Sequence, residues 1–345
     1  MSDARDSARP ADCSPPQVSI IIPTYNRRSL VLHAIESVLS QRGGISCEII
    51  VVDDGSSDGT ADELQARHAG EPRLRVLNSA HRGPSAARNL GFAASRGAWV
   101  CFLDSDDRLL PHALMRVRDV FAQHPEVAFV SLEGVEGATS ERIVRNNPGW
   151  LGARFRASAK CLDPWPAPAP GAGVCLLRAQ LFPAVLDGDL FYLSGLFIRR
   201  AAVSRAGLFR ERYRLFGDWD FHARLCLQGI GALLDEAGFV RGVGSGDQLS
   251  RRNSPLRHAL MHLRITLNTA NSGLARRRED RVQLRLAVHT TRYWLGRVLI
   301  RGRHTRIGRR LLLASLLSLY KPGLSLFLLA QSMPHTGLRR FAHGA

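Results

Sequence analysis

The chain has 345 residues, 45% of them hydrophobic and 22% charged, the composition of a globular protein with a sizeable core. Its net charge of +17 is confined to one end: residues 251–345 carry eighteen Arg and one Lys against Glu279 and Asp280, and residues 1–250 are balanced. The six cysteines have neither CxxC spacing nor a paired framework, which excludes a disulfide-stapled scaffold and fits a reducing compartment.

Residues 1–16 are polar, with Pro10, Pro15 and Pro16, and read as a disordered leader rather than a signal peptide. Val18–Pro23 is a β-branched run of the kind found in buried parallel strands. Thr24 to Arg28 form a loop, and Ser29 can cap a helix to about Ser40 with Leu30, Ala34, Ile35, Val38 and Leu39 on its apolar face. Glu48–Val52 is a second strand, ending in Asp53-Asp54-Gly55-Ser56-Ser57-Asp58, and a helix is expected over 61–68. A third strand at Leu74–Leu77 leads into Gly83-Pro84-Ser85-Ala86-Ala87-Arg88-Asn89, which opens the next helix. The run Ala98–Leu103 closes the series.

Four strand–helix alternations argue a parallel, doubly wound sheet, whose ligands bind outside the carboxyl ends of the strands. Tyr25, Asp53, Asp54, Arg88, Asp104 and Asp106 all fall in or beside loops on that one edge. Phe102-Leu103-Asp104-Ser105-Asp106-Asp107 sets three carboxylates at a strand end, where like charges cost stability unless a cation joins them. A divalent metal bridging nucleotide phosphates would supply it; an acidic turn capping a helix that begins near Pro111 is the other reading. A calcium loop starting at Asp54 fails because its twelfth position is Gln65, and a dinucleotide turn fails because no glycine follows the first strand.

Val18-Ser-Ile-Ile-Ile-Pro-Thr-Tyr-Asn-Arg, Val51-Val-Asp-Asp-Gly-Ser-Ser-Asp-Gly-Thr, Gly83-Pro-Ser-Ala-Ala-Arg-Asn-Leu-Gly and Phe102-Leu-Asp-Ser-Asp-Asp together resemble the inverting family 2 glycosyltransferases of GT-A fold. The resemblance covers about residues 17–250. It implies a Rossmann-like mixed sheet flanked by helices, with a nucleotide-sugar half at 17–138 and an acceptor half at 139–250. By the same resemblance Pro23, Thr24 and Tyr25 border the nucleotide base, Asp54 accepts from a uracil-type ring, and Arg88 approaches the diphosphate or sugar. Asp104 then meets the ribose or sugar hydroxyls, and Asp106 binds a divalent metal, Mn²⁺ or Mg²⁺. Each position also has a plainer reading: Pro23 and Asn26 shape a turn, Asp53 caps the next helix, and Arg88 pairs with a carboxylate.

The loop Asp163–Gly173 falls in the variable acceptor half, and Tyr192–Arg200 reads as a strand under the site. Leu215-Phe-Gly-Asp-Trp-Asp resembles the family's acidic pair at a helix start, with Gly217 where a Glu is usual. The resemblance makes Asp218 the catalytic base; a helix cap is its alternative, and Asp220 points elsewhere on the helix. Where many relatives offer a His near the metal, 240–250 has none, and His222 and His258 read as surface or core residues.

The tail, 251–345, reads as helical and cationic. Arg281, Arg285 and Arg292 share one helical face, with Val282, Leu286 and Tyr293 to one side, and five Arg between 301 and 310 precede an apolar run. This fits either an anionic bilayer surface or a bundle packed on the body. Leu311–Met333 is interrupted by Lys321-Pro322-Gly323, so neither half reaches the roughly 20 residues of a spanning helix. The expected protein is a metal-dependent enzyme of the cytoplasmic membrane face. It moves sugar from a nucleotide-diphosphate sugar, UDP favoured, to a glycan or lipid-linked acceptor, with no nucleic-acid partner. A catalytically inactive relative that binds membrane or nucleic acid, and a nucleotidyltransferase lacking its usual Gly-rich first loop, are the rivals.

Overall fold

In a computed structural model the apolar runs between polar loops become strands of one mixed sheet. The structure describes residues 15–137, 143–144, 174–177, 182, 185–186, 190–213, 215–242, 254–302 and 304–317. Residues 1–14 of the expected leader, the Asp163–Gly173 loop, residues 243–253 and the apolar run beyond 317 lie outside those residues.

The strands β1 (Val18–Thr24), β2 (Cys47–Asp53), β3 (Leu74–Asn78) and β4 (Trp99–Phe102) are mutually parallel. They alternate with helices α1 (Arg28–Leu39), α2 (Thr60–His68) and α3 (Pro84–Ala94). Across the sheet the order is β3-β2-β1-β4, followed by Leu196–Arg199, Val127–Gly137, Ile230–Gly242 and Arg108–Leu109. The two-residue β5 (Arg108–Leu109), α4 (Ala113–Gln123), β6 (Val127–Gly137), β7 (Ile143–Val144) and β8 (Val174–Leu177) follow in the chain. A 3₁₀ turn at Leu193–Gly195 leads into β9 (Leu196–Arg199), antiparallel to both β4 and β6. Next come α5 (Arg200–Ala206), α6 (Gly217–Leu225) and β10 (Ile230–Gly242), which runs parallel to β6.

Burial on both faces explains the near-continuous apolar strands. Ile20 and Ile22 enter the core under α1 and α4, while Ile21 between them enters the core under α3, α5 and α6. The period of two along β1 thus builds two layers at once.

Three expectations are corrected, the first being the cap of α1: Ser29 lies inside that helix, and Arg27 holds its N-cap position. The acidic stretch at 104–107 caps no helix: the chain enters β5, and α4 starts only at Ala113, with His112 as its N-cap and Pro111 outside it. Asp53 does not cap α2 either, because Asp58 Oδ1 takes the Thr60 N–H at 3.1 Å and Asp53 bonds Ser56 instead.

The described part of the tail forms α7 (Pro255–Ala270), α8 (Arg278–Arg301) and α9 (Thr305–Leu317). Ser254 caps α7 by accepting the Arg257 N–H at 3.2 Å, and Pro255 sits where its missing N–H costs nothing. Helix α7 docks on α6 through Trp219, whose ring lies 5.4 Å from His258 and 4.8 Å from His262. Ile265, Leu284 and Ala287 join the core of the body, so these helices are packed on it. Tyr293 turns out buried, while Val282 and Leu286 stay exposed.

His262 Nε2–H donates to the Leu186 carbonyl, and burial holds the imidazole's pKa down at about 4 from 6.5; that bond opposes the shift and His258 adds to it. The stability given by this neutral imidazole is complete above pH 6.5 and drains as pH falls towards 4, because the unfolded chain takes the proton first. The melting temperature is therefore expected to fall between pH 7 and pH 5, and to fall less in His262→Phe. Equal falls in both proteins, followed by differential scanning fluorimetry, would remove His262 from the account.

Candidate active site

The loops after β1 and β2 are laced together by their own polar side chains. Asn26 takes a left-handed backbone (φ 51°), which this short polar side chain tolerates. Its N–H donates to Ser56 Oγ at 2.9 Å, and its Oδ1 accepts the Ser57 N–H at 2.8 Å. The Arg28 N–H donates to Asp58 Oδ2 at 3.1 Å, so the backbone around residue 27 is held on both sides.

Asp54 is buried and ties in the loop after β3. Its Oδ1 accepts from Ser79 Oγ at 2.7 Å and the Arg82 N–H at 2.9 Å, and its Oδ2 accepts the Gly83 N–H at 2.7 Å. That loop brings the His81 ring to 4.3 Å from the ring of Tyr25, which is 43% exposed and so offers a flat aromatic face. Pro23 and Thr24 lie buried at the end of β1, and Thr24 Oγ1 is among the buried oxygens without a partner.

The three carboxylates after β4 have three different fates. Asp104 Oδ1 pairs with Arg88 Nη2 at 2.7 Å, and the Arg88 guanidinium lies 5.4 Å from the centre of the Phe209 ring. Asp106 Oδ1 pairs with Arg27 Nη1 at 2.9 Å, and the same nitrogen reaches Ser105 Oγ at 3.5 Å. Asp107 turns inward: its Oδ1 accepts the Gly242 N–H at 2.9 Å and its Oδ2 accepts the Ser194 hydroxyl. Ser194 Oγ in turn accepts the Asp104 N–H at 3.1 Å. Burial, then the charges of Asp104 and Asp106, push the Asp107 carboxyl up to about 7. Asp106 is also raised, by burial and by Asp104, against the opposing pull of Arg27.

The end of β10 is fitted to this loop. A Cβ at Gly242 would stand 2.2 Å from the Asp106 carbonyl oxygen, a distance no side chain tolerates.

Two carboxylates in a partly buried, mutually repelling pair suit a hard divalent cation. Magnesium-type sites commonly use one or two carboxylates and complete the shell with water and substrate phosphates. Among the described residues no group of three or more His, Cys, Asp or Glu forms a cage. Asp106, with the charge of Asp104 beside it, therefore fits a metal that is shared with a phosphate ligand, and the described residues offer no all-protein site.

Helix α6 starts after Phe216, whose φ of 61° is strained for a bulky side chain. Gly217 packs against the first turn of α3: a Cβ there would lie 2.9 Å from Ser85 Oγ. A side chain at this position would have to displace the Ser85 hydroxyl. Asp218 is half-buried in the first turn, one residue from that contact, and its Oδ1 accepts the Trp219 N–H at 2.9 Å. Phe216, not Asp218, occupies the N-cap position. Asp220 is fully buried between Arg210 Nη1 at 2.8 Å and Arg224 Nη2 at 2.8 Å, a structural role.

The fold thus gathers Tyr25, Asp54, Arg88, Asp104 and Asp106 along one sheet edge, and sets the first turn of α6 against the helix that carries Arg88. Sequence reasoning missed Arg27, His81 and Ser194. Arg27 stands inside the first motif, but its partner lies 79 positions away and carries no local signal.

Residues 19–186 match the glycosyl transferase family 2 profile. Over 109 residues the chain is 40% identical to the succinoglycan biosynthesis protein ExoO of Rhizobium meliloti, an alignment covering 31% of this chain and 30% of that protein. Over 244 residues it is 29% identical to the minor teichoic acid biosynthesis protein GgaA of Bacillus subtilis, covering 68% of this chain and 49% of that one. These matches therefore span a third to a half of the relatives' own lengths. Among solved structures, the mannosyltransferase PcManGT from Pyrobaculum calidifontis, in complex with GDP-Man and Mn²⁺, superposes with a TM-score of 0.56 at 17% identity, covering 94% of this chain and 88% of that one. Residues 1–349 of S. aureus TarS with UDP-GlcNAc give 0.54 at 16% identity, covering 83% of each chain. At such identities the likeness carries the fold alone, a GT-A-type mixed sheet flanked by helices.

Proposed function

From the premise that this chain belongs to glycosyl transferase family 2, we infer that it moves a sugar from a nucleotide-diphosphate sugar to a glycan or lipid-linked acceptor, with inversion, in the building of a cell-surface polysaccharide. What supports this reading is the sheet edge that holds an exposed aromatic face and two Arg–carboxylate pairs, with the first turn of α6 packed on α3. The printed names of relatives in succinoglycan, teichoic acid and chondroitin synthesis support the product class. Neighbours solved with UDP, UDP-GlcNAc and GDP-Man support the donor class, and UDP remains the favoured base.

In this reading Tyr25 faces the base, with Pro23 and Thr24 beneath it and Asp54 at its edge. Arg88 serves the diphosphate or sugar, Asp104 the hydroxyls, and Asp106 a divalent cation, Mn²⁺ or Mg²⁺. The cation, when bound, would offset charge on the leaving diphosphate. Asp218 takes the acceptor hydroxyl's proton while that oxygen attacks the anomeric carbon. The bond to the diphosphate breaks, and its electron pair leaves with the nucleotide. Residues 17–250 are the transferase domain in this proposal, with donor and acceptor halves at 17–138 and 139–250, and 251–345 is a helical extension.

The extension is proposed to lie against the inner face of the membrane. No helix among the described residues is long and apolar enough to cross one. Six large hydrophobics on α7–α9, Val282, Leu286 and Trp294 among them, are exposed, and Arg278, Arg281 and Arg285 are exposed beside the first two. Sedimentation with phosphatidylglycerol vesicles that is lost in 1 M salt (a Debye length of about 3 Å) is expected; equal binding to neutral vesicles would contradict it.

The function itself is tested by warming the purified protein with a panel of nucleotide sugars and Mn²⁺. The cognate donor at about 100 times its Kd should add about 2.7 kcal/mol of stability. No stabilisation by any donor, with or without metal, would defeat the reading.

A further inference from the structure

Arg27 belongs to no role assigned above, yet it makes the direct contact to the carboxylate proposed to hold metal. Its backbone is fixed between Asn26, bonded to Ser56 and Ser57, and Arg28, whose N–H is held by Asp58. From that anchored position the side chain crosses from the β1 loop to the β4 loop and meets Asp106 Oδ1 at 2.9 Å and Ser105 Oγ at 3.5 Å. The pair is largely shielded, with side-chain exposures of 25% and 16%. The edge is therefore charge-matched without any metal: Arg88 answers Asp104 and Arg27 answers Asp106.

We propose that Arg27 is a donor-site residue that occupies the cation position on Asp106 in the donor-free protein and yields it to the divalent metal when the diphosphate arrives. The inference rests on the reading of Asp106 as a metal ligand. A guanidinium and a divalent cation sharing one carboxylate repel each other across a few ångströms of partly buried space. Metal binding alone must then work against Arg27, and a diphosphate removes the conflict. Its oxygens would accept the planar guanidinium in the forked geometry that arginine favours and would also supply hard ligands to the cation. Arg27 thereby couples the two ligands: metal binds weakly until the nucleotide is present. Typical couplings of this kind change affinity by about 5- to 150-fold. An acidic pair already matched by arginine is also kept folded when no donor is bound.

The test measures Mn²⁺ binding by electron paramagnetic resonance on the full chain, without nucleotide and then with UDP. Wild type, Arg27→Gln, Arg27→Lys and Asp106→Asn are compared, each checked for an unchanged melting transition. Arg27→Gln is expected to bind Mn²⁺ at least about fivefold more tightly than wild type without nucleotide, and to bind metal-free UDP more weakly. Arg27→Lys, which keeps the charge, should stay near wild type. Unchanged or weaker Mn²⁺ binding in Arg27→Gln, with loss in Asp106→Asn, overturns the role of Arg27 and leaves the metal reading standing. Identical Mn²⁺ behaviour in wild type and Asp106→Asn overturns both.

Discussion

Asp218→Asn is expected to lower sugar transfer about 10²- to 10⁴-fold while leaving the affinity for nucleoside diphosphate within about twofold. The amide keeps the size of the carboxylate and can still accept the Trp219 N–H that Asp218 Oδ1 accepts at 2.9 Å. What it loses is the capacity to take a proton. Asp218 lies in the first turn of α6. The strained Phe216 and the close contact of Gly217 with Ser85 fix where that first turn sits. A carboxylate that only stabilised the helix start would cost about 1 kcal/mol of stability and leave the transfer rate alone. Transfer assayed by nucleotide release, beside equilibrium binding of UDP, separates the two cases.

Asp220→Ala is expected to have the largest effect on stability, about 3–5 kcal/mol, because it strands a buried guanidinium. Asp220 is fully buried, and Arg224, its partner, is 3% exposed. Arg224 also donates to the carbonyls of Ala206, Gly207 and Leu208 at 2.6, 2.7 and 2.9 Å. This fan holds the segment that ends in Phe209, which lies beneath Arg88 and is clasped by Asn89 through bonds of 2.8 and 3.0 Å. Loss of the carboxylate should therefore lower the melting temperature by about 4–7 °C for a chain of this size and loosen Arg88 as well. A shift of under about 2 °C would show that Arg210 and the carbonyl fan satisfy the site without Asp220.

The two acidic residues of α6 stand two positions apart, and Asp220 alone of them is buried between Arg210 and Arg224. Their separation onto different sides of the helix was readable from its period, and so was the sheet edge on which the donor residues converge. The strands were legible because burial on both faces leaves unbroken apolar runs. What stayed hidden depends on partners distant in the chain. The resemblance gave Asp104 and Asp106 different roles, but residue chemistry alone leaves them and Asp107 alike, and their partners Arg88, Arg27 and the Ser194–Gly242 pair set them apart in the fold. Gly217 was visible as a departure from the resembled motif, but its close neighbour, Ser85, lies on another helix. The tail's charge was plain, whereas its docking depends on Trp219 meeting His258 and His262, a contact no local pattern encodes.

Identification of the sugar product tests the central claim most directly. Wild-type protein with Mn²⁺, the stabilising nucleotide sugar and a panel of glycan and lipid-linked acceptors is followed by proton NMR at the anomeric centre. The account predicts one nucleoside diphosphate released per new glycosidic bond, with the anomeric configuration inverted and the signal absent in Asp218→Asn. Retained configuration, or transfer at the wild-type rate in Asp218→Asn, would contradict it.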